Sequence, residues 1–192
     1  MLDDFWRRTW ASLASGAAPG RSPFTVMQLA SVGLDGGPKL RGVILRHTDE
    51  HHATVQFHTD LRSPKVAELR HLPKAAMTGW DADSNLQIRL EGDAFIHPDG
   101  AEKRAAWHAA RLQSRLLYTA PLRPGSAVGS PDSAQPLDDT AGPDALALAY
   151  THFAVVSVVL TRVEMLQINS DGHFRARFEK TPTGWGGSWI AP

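Results

Sequence analysis

The 192-residue chain contains no cysteine. Disulfide cross-links, thiolate metal centres and cysteine nucleophiles are therefore excluded, and a reducing cytosol suits the composition. Neither charge is in excess: 20 Lys and Arg stand against 20 Asp and Glu. No global basic footprint marks the chain for nucleic acid or an anionic membrane surface. No apolar run reaches the length of a bilayer span. The opening "MLDDFWRRTWASLASG" lacks the basic-then-apolar order of a secretory signal, so a cytoplasmic protein is expected. GxGxxG between a strand and a helix, the P-loop, HExxH and GxSxG are all missing. Dinucleotide, Walker, zincin and α/β-hydrolase chemistry lose their usual sequence support.

What is present is ordinary globular material, 42% hydrophobic and 21% charged. Leu2, Phe5, Trp6, Trp10 and Leu13 fall along one side of an N-terminal helix over residues 1–17. Phe24 to His47 reads as a hairpin around "LDGGPK", and "ATVQFHT" as a third strand. Lys74–Trp80 and Leu86–His97 follow as strands, the latter bulged at Gly92. "DGAEKRAAWHAARLQSRLL" reads as one helix, and residues 119–147, rich in Pro, Ser, Gly and Asp, as a long loop. "HFAVVSVVLTRVEMLQI" and "HFRARFEK" are the last strands, and "TGWGGSWIAP" a tail packed on the surface. Six to seven strands in succession without alternating helices predict a mainly β, α+β protein. Its sheet is antiparallel or closed into a barrel, with flanking helices, in a single domain over 1–192.

One junction carries a chemical signal. In "FHTDLRSPKVAELRHLP", Ser63 is a helix N-cap type and Pro64 suits the first helical position. Lys65 then sits in the first turn, where the helix dipole disfavours a cation. It is either an exposed lysine carrying a small penalty or the mark of an anion bound at the helix start. Thr59, Ser63 and Lys65 could surround one phosphate without a glycine loop.

Other groups point the same way without deciding it. Arg41 and Arg46 flank "GVIL" and face opposite sides of a regular strand. Gln87 and Arg89 share a strand face, and so do Arg175 and Arg177, with Phe174 and Phe178 on the other. His47, His51, His52 and His58 cluster in sequence with no tidy carboxylate partner, and no metal site is expected.

Taken in order, "RGVILRH", "FHTDLRSPKVAEL", "LQIRLEG", "VEMLQINSDGHFRARF" and the closing "IAP" resemble the pyridoxamine 5'-phosphate oxidase family of FMN-binding split barrels. The resemblance implies a split β-barrel binding FMN, a homodimer with FMN at the subunit interface, and a small-molecule substrate. It assigns FMN contacts to Arg41, Gly42, Val43, Ile44, Leu45 and Arg46, to His58 and Thr59, to Ser63 and Lys65, and to Gln87 and Arg177. Gln87 is expected to act on the other subunit's flavin. Trp107, Arg111, Arg115, His173 and Arg175 fall at substrate-binding positions. There are departures: Pro64 replaces a phosphate-binding arginine, Leu166 a flavin-contacting tryptophan, and His173 and Arg175 reverse an Arg-x-His pair. The implied function is an FMN-dependent oxidoreductase with a diverged, anion-binding substrate site. The alternatives are a genuine pyridoxine/pyridoxamine 5'-phosphate oxidase and a flavin- or haem-binding protein without turnover.

Overall fold

The computed structural model describes all 192 residues. Its chain order is α1 (Leu2–Ala17), β1 (Val26–Val32), β2 (Pro38–Asp49), β3 (Thr54–Asp60), α2 (Pro64–His71), β4 (Lys74–Asp81) and β5 (Leu86–Ile96). Then come α3 (Ala101–Ala109), α4 (Leu112–Leu116), α5 (Pro143–His152), β6 (Phe153–Gln167), β7 (Phe174–Thr181) and β8 (Gly184–Ile190). All strand pairings are antiparallel, in the order β3-β2-β1-β4-β5-β6-β7-β8, and β3 also pairs with β6. Strands β1 to β6 thereby close a six-stranded barrel, with β7 and β8 continuing the sheet outward. The expected antiparallel split barrel is the observed architecture.

The split is a property of β6. Its 15 residues pair with β5 along one edge. On the other edge the first half, Phe153–Val159, pairs with β3, and the second half, Arg162–Gln167, pairs with β7. The handover coincides with the bulge between Glu91 and Gly92 that the glycine led us to expect. A Cβ at Gly92 would lie 2.2 Å from the Val159 carbonyl oxygen, so only glycine lets the two backbones meet here. The interior is filled by Met27, Leu29, Leu45, Val55, Phe57, Ile88, Leu90, Leu160 and Met165, all essentially inaccessible. Each contributes roughly 1.5–3 kcal/mol through burial.

Three sequence expectations need correction. The helix over Asp99–Leu117 is two segments, broken where Ala110 and Arg111 adopt extended backbone (ψ 139° and 150°). No Pro or Gly marks the break; tertiary packing of Trp107 on one segment and Leu116 on the other overrides helical propensity. The loop expected over 119–147 ends earlier, because α5 starts at Pro143 and a 3₁₀ turn occupies Pro131–Ala134. Gly142, Pro143 and Asp144 were a readable start signal within a stretch dominated by loop composition. Finally, the Gly/Trp tail is an eighth strand. Gly187 lies against the Phe178 ring, where a Cβ would be 2.8 Å away. Trp185 and Trp189 anchor the strand on Trp6 and Phe5 of α1, with ring centroids 5.1 and 5.0 Å apart.

Candidate functional site

The start of α2 is built from the end of β3. Thr59 and Asp60 are buried there, and the chain turns through Leu61 and Arg62. The turn is held firmly: Arg62 grips the Asp60 carboxylate through Nε at 3.0 Å and Nη2 at 2.7 Å. Arg62 also donates to the Ala120 carbonyl at 3.0 Å, and the Leu61 N–H donates to His152 O at 2.6 Å. Ser63 occupies the N-cap position, but its hydroxyl does not cap the helix. It lies 3.4 Å from the Thr59 hydroxyl, which accepts from Lys65 Nζ at 3.0 Å. Thr59, Ser63 and Lys65 therefore do converge.

The charge balance around Lys65 leaves its ammonium without a carboxylate partner. Its ammonium is half-buried, and burial, then the neighbouring Arg41, hold its pKa below the usual lysine value against Asp60 and Glu68. Both of those carboxylates are already engaged, Asp60 by Arg62 and Glu68 by Arg41. The Lys65 N–H, in the first turn, has no acceptor in the protein. A desolvated ammonium, two hydroxyls and a free helix N–H form a donor set matched to a phosphate monoester such as that of FMN. Pro64 contributes neither an N–H nor a charge.

Arg41 borders this cluster from β2. Its Nη2 donates to Glu68 at 2.6 Å and its Nη1 to Ser31 Oγ at 2.5 Å. Val43 and Leu45 point into the barrel core, leaving only their backbone for any ligand, whereas Gly42 and Ile44 face outward. Arg46 falls at the bulge between Leu45 and His47, an odd number of residues from Arg41 and so on the opposite face of β2.

Arg46 opens into a cleft of about 690 Å³ between the end of α1, β2, β3 and α3–α4. Arg46, His47, His58, Arg111 and Ser114 line it, together with Gln56, whose amide donates to Glu102 at 3.1 Å. One side of its wall is small residues, Gly16–Gly20 and four alanines of α3 and its end, and β2 adds the apolar Ile44 and Leu45. Burial, reinforced by the Arg46 charge, lowers the His58 pKa to about 4, so the imidazole is neutral near pH 7. Trp107 is not in the cleft wall. It is buried against Tyr118, Tyr150 and Phe153, with the Arg115 guanidinium 5.8 Å above its ring. Arg115 Nε is buried without a partner.

Gln87 and Arg177 occupy a third location, the outer sheet face. One cross-strand row runs Gly42–Gln28–Thr78–Arg89–Glu164–Arg177–Ser188 across seven strands. Glu164 is 4% exposed and receives Arg175 at 2.6 Å, Arg177 at 2.7 Å and Arg89 at 3.7 Å. Arg175 and Arg177 share a face of β7, as their spacing predicts, and a carboxylate organises them. Gln87 lies beside Trp80 and Leu166 at the start of β5, whereas Ala94, near the strand's end, bonds Pro73 just after α2. That separation is roughly 23 Å along the strand. Within one chain, no hydrogen bond or ion pair joins Gln87, His173, Arg175 or Arg177 to the Lys65 cluster; Arg175 and Arg177 pair with Glu164, and His173 accepts from Asn169.

Glu68, Glu164, Glu102 and the Asp60–Arg62 clamp were missed in the sequence. Glu68 sits one turn after Lys65 on the same helix, a spacing that could have flagged it. Glu164 needs strand register, which no local pattern supplies.

Residues 5–98 match the family model described as pyridoxamine 5'-phosphate oxidase, FMN-binding domain. That stretch contains Arg41–Arg46, His58–Lys65 and Gln87, while the five substrate-position residues lie beyond it. Pyridoxine/pyridoxamine 5'-phosphate oxidase 2 of Arabidopsis thaliana is 36% identical over 146 residues, 70% of this chain and 73% of that protein. The oxidase of Thermosynechococcus vestitus is 40% identical over 89 residues, 46% of this chain and 41% of its own length. The crystal structure of a pyridoxamine 5'-phosphate oxidase-related, FMN-binding protein from Nostoc punctiforme superposes with a TM-score of 0.78 at 21% identity, covering 97% of both chains. PhzG from Burkholderia lata does so with a TM-score of 0.72 at 20% identity, covering 99% of this chain and 92% of its own. At these identities the two structures speak to the fold.

Proposed function

The chain belongs to the pyridoxamine 5'-phosphate oxidase family of FMN-binding proteins, and from that premise we propose that it is an FMN-dependent oxidoreductase acting on a small anionic molecule. The observation that carries the reading is the adjacency of two sites along β3. Thr59 belongs to the phosphate-type donor cluster with Lys65, and His58, the residue before it, lines the cleft with Arg46 and Arg111.

FMN supplies the two-electron acceptor for substrate oxidation. The protein's part is to bind, orient and exclude water. Lys65, Thr59 and Ser63 hold the cofactor phosphate, with Arg41 beside them. Arg46 and Arg111 attract the substrate's anionic group, and the small-residue wall leaves room for its body. Neutral His58 presents a ring nitrogen without adding positive charge. Gln87 and Arg177 serve the flavin of a second copy: within one chain no contact joins them to the Lys65 cluster, and the half-exposed row around Trp80 is a surface for that copy. The working form is thus a homodimer with FMN at its interface, and the absence of cysteine suits the cytoplasm.

A second reading, pyridoxine/pyridoxamine 5'-phosphate oxidase proper, draws support from the 36% identity to the Arabidopsis protein. Against it stand Pro64, Leu166 and the reversed His173/Arg175 pair.

The test is the absorbance spectrum of the purified protein, with mass identification of the heat-released cofactor. Released FMN, and weaker FMN retention in Lys65→Ala, support the assignment. Bleaching of the bound flavin by pyridoxamine 5'-phosphate selects the second reading, and bleaching only by other anionic amines or alcohols selects the first. A colourless protein that takes up no added FMN overturns both.

A further inference from the structure

Glu68 is a buried carboxylate next to a site meant for a dianion, and no step so far uses it. It is 5% exposed. Its Oε2 accepts from Arg41 Nη2 at 2.6 Å and from Ser31 Oγ at 2.6 Å, and Arg41 Nη1 donates to the same Ser31 oxygen at 2.5 Å. Ser31 is 4% exposed. The three groups form a closed triangle contributed by α2, β2 and β1, far apart in sequence.

Two physical consequences follow. First, a guanidinium on a flexible stem is fixed before any ligand arrives, so its ordering need not be repeated on binding. Secondly, the carboxylate cancels the Arg41 charge. Lys65 is then the cation of the cluster without a carboxylate of its own, in a site where Pro64 has already removed one positive charge. Position and charge act in opposite directions on a phosphate: the first favours binding, the second weakens it.

We propose that Glu68 is a positioning residue for Arg41 and sets how strongly the protein prefers a phosphorylated flavin over an unphosphorylated one. This rests on the reading that the FMN phosphate sits at Lys65. The two effects of Glu68 separate in two variants. Glu68→Gln keeps an amide oxygen for Arg41 and Ser31 while removing the charge. Glu68→Leu removes both.

The experiment measures Kd for FMN and for riboflavin, which has the same ring and no phosphate, by quenching of flavin fluorescence on the cofactor-stripped full chain. Glu68→Leu is expected to weaken FMN binding at least tenfold with riboflavin unchanged. Glu68→Gln is expected to bind FMN several-fold more tightly than the unaltered protein, with a steeper loss on adding salt. Ser31→Ala, which leaves Glu68 in place, loses part of the FMN preference and serves where the leucine variant does not fold. Equal shifts for both flavins, or no shift, overturn the proposal by reducing Glu68 to a structural ion pair. Lys65→Ala distinguishes the two levels of failure. If it collapses the FMN-to-riboflavin ratio and the Glu68 and Ser31 variants do not, only Glu68's role falls. If Lys65→Ala also leaves the ratio intact, the phosphate is bound elsewhere and the underlying reading falls with it.

Discussion

Arg177 Nε donates to Glu164 Oε1 at 2.7 Å across the β6–β7 ladder, while the other oxygen of the same carboxylate receives Arg175 at 2.6 Å. Burial alone would raise the Glu164 pKa, but the hydrogen bonds and charges of Arg175 and Arg177 outweigh it and hold it below the usual glutamate value. A depressed folded pKa stabilises the native state above the unfolded value near 4.5 and loses that contribution as pH falls through the folded value. Glu164→Leu leaves guanidinium groups unpaired on the sheet and should cost about 2–3 kcal/mol, discounted for their partial exposure. Thermal unfolding at pH 7 should show a drop of roughly 5–10 °C, and the gap from the unaltered protein should narrow below about pH 4. An unchanged Tm would refute the ion-pair assignment.

Pro64 occupies the first turn of α2 without a charge or an N–H. Pro64→Arg adds a cation beside Lys65 at the expense of a favourable first helical residue. FMN affinity should rise about tenfold at low salt, as one partly exposed charge-assisted hydrogen bond implies. Titration calorimetry of the two proteins checks this, and equal affinities would place the phosphate away from this turn.

His58 is held neutral, its pKa lowered from 6.5 to about 4 by burial and then by Arg46. Between these values the unfolded chain binds a proton that the folded chain does not, so stability falls as pH drops from about 6.5 to 4. Each unit is about 1.4 kcal/mol, which puts the whole effect on the order of 3 kcal/mol. His58→Gln should flatten the stability profile over that window, as measured by urea unfolding at a series of pH values. A variant that tracks the unaltered protein throughout would contradict the burial of this ring.

Arg111 lines the cleft from the break between α3 and α4 and is exposed there. Arg111→Ala should raise KM for an anionic substrate about tenfold, the loss of one charge-assisted contact, while bound FMN per chain stays constant. Loss of the flavin together with the substrate would mean that this arginine belongs to the cofactor site.

Gly92→Ala places a methyl group 2.2 Å from the Val159 carbonyl, a backbone atom that cannot rotate away. The β5–β6 crossing must then open, at a cost of about 3 kcal/mol or more. A chemical-denaturation midpoint within error of the unaltered protein would show that the bulge is not needed for closure.

Much of this protein was legible locally. The Ser63–Pro64 start of α2, the turn between β1 and β2, the bulge at Gly92 and the convergence of Thr59, Ser63 and Lys65 all depend on residues within a few positions of one another. Their backbone preferences and short reach settle the outcome wherever the rest of the chain goes. The family resemblance was equally visible, as ordered blocks. What the tertiary structure alone decided lies across long separations. Arg41 and Glu68 are 27 residues apart and meet because α2 packs against β1, whose hairpin partner β2 carries Arg41. Arg89, Glu164 and Arg177 meet because strand register places them in one row. The strand β8 exists because Trp185 and Trp189 find α1 beneath them, and the helix after Asp99 breaks so that both of its halves can bury an apolar side chain. Periodicity says which residues share a face of one element; only packing decides which charge on that face finds a partner and which is left free for a ligand.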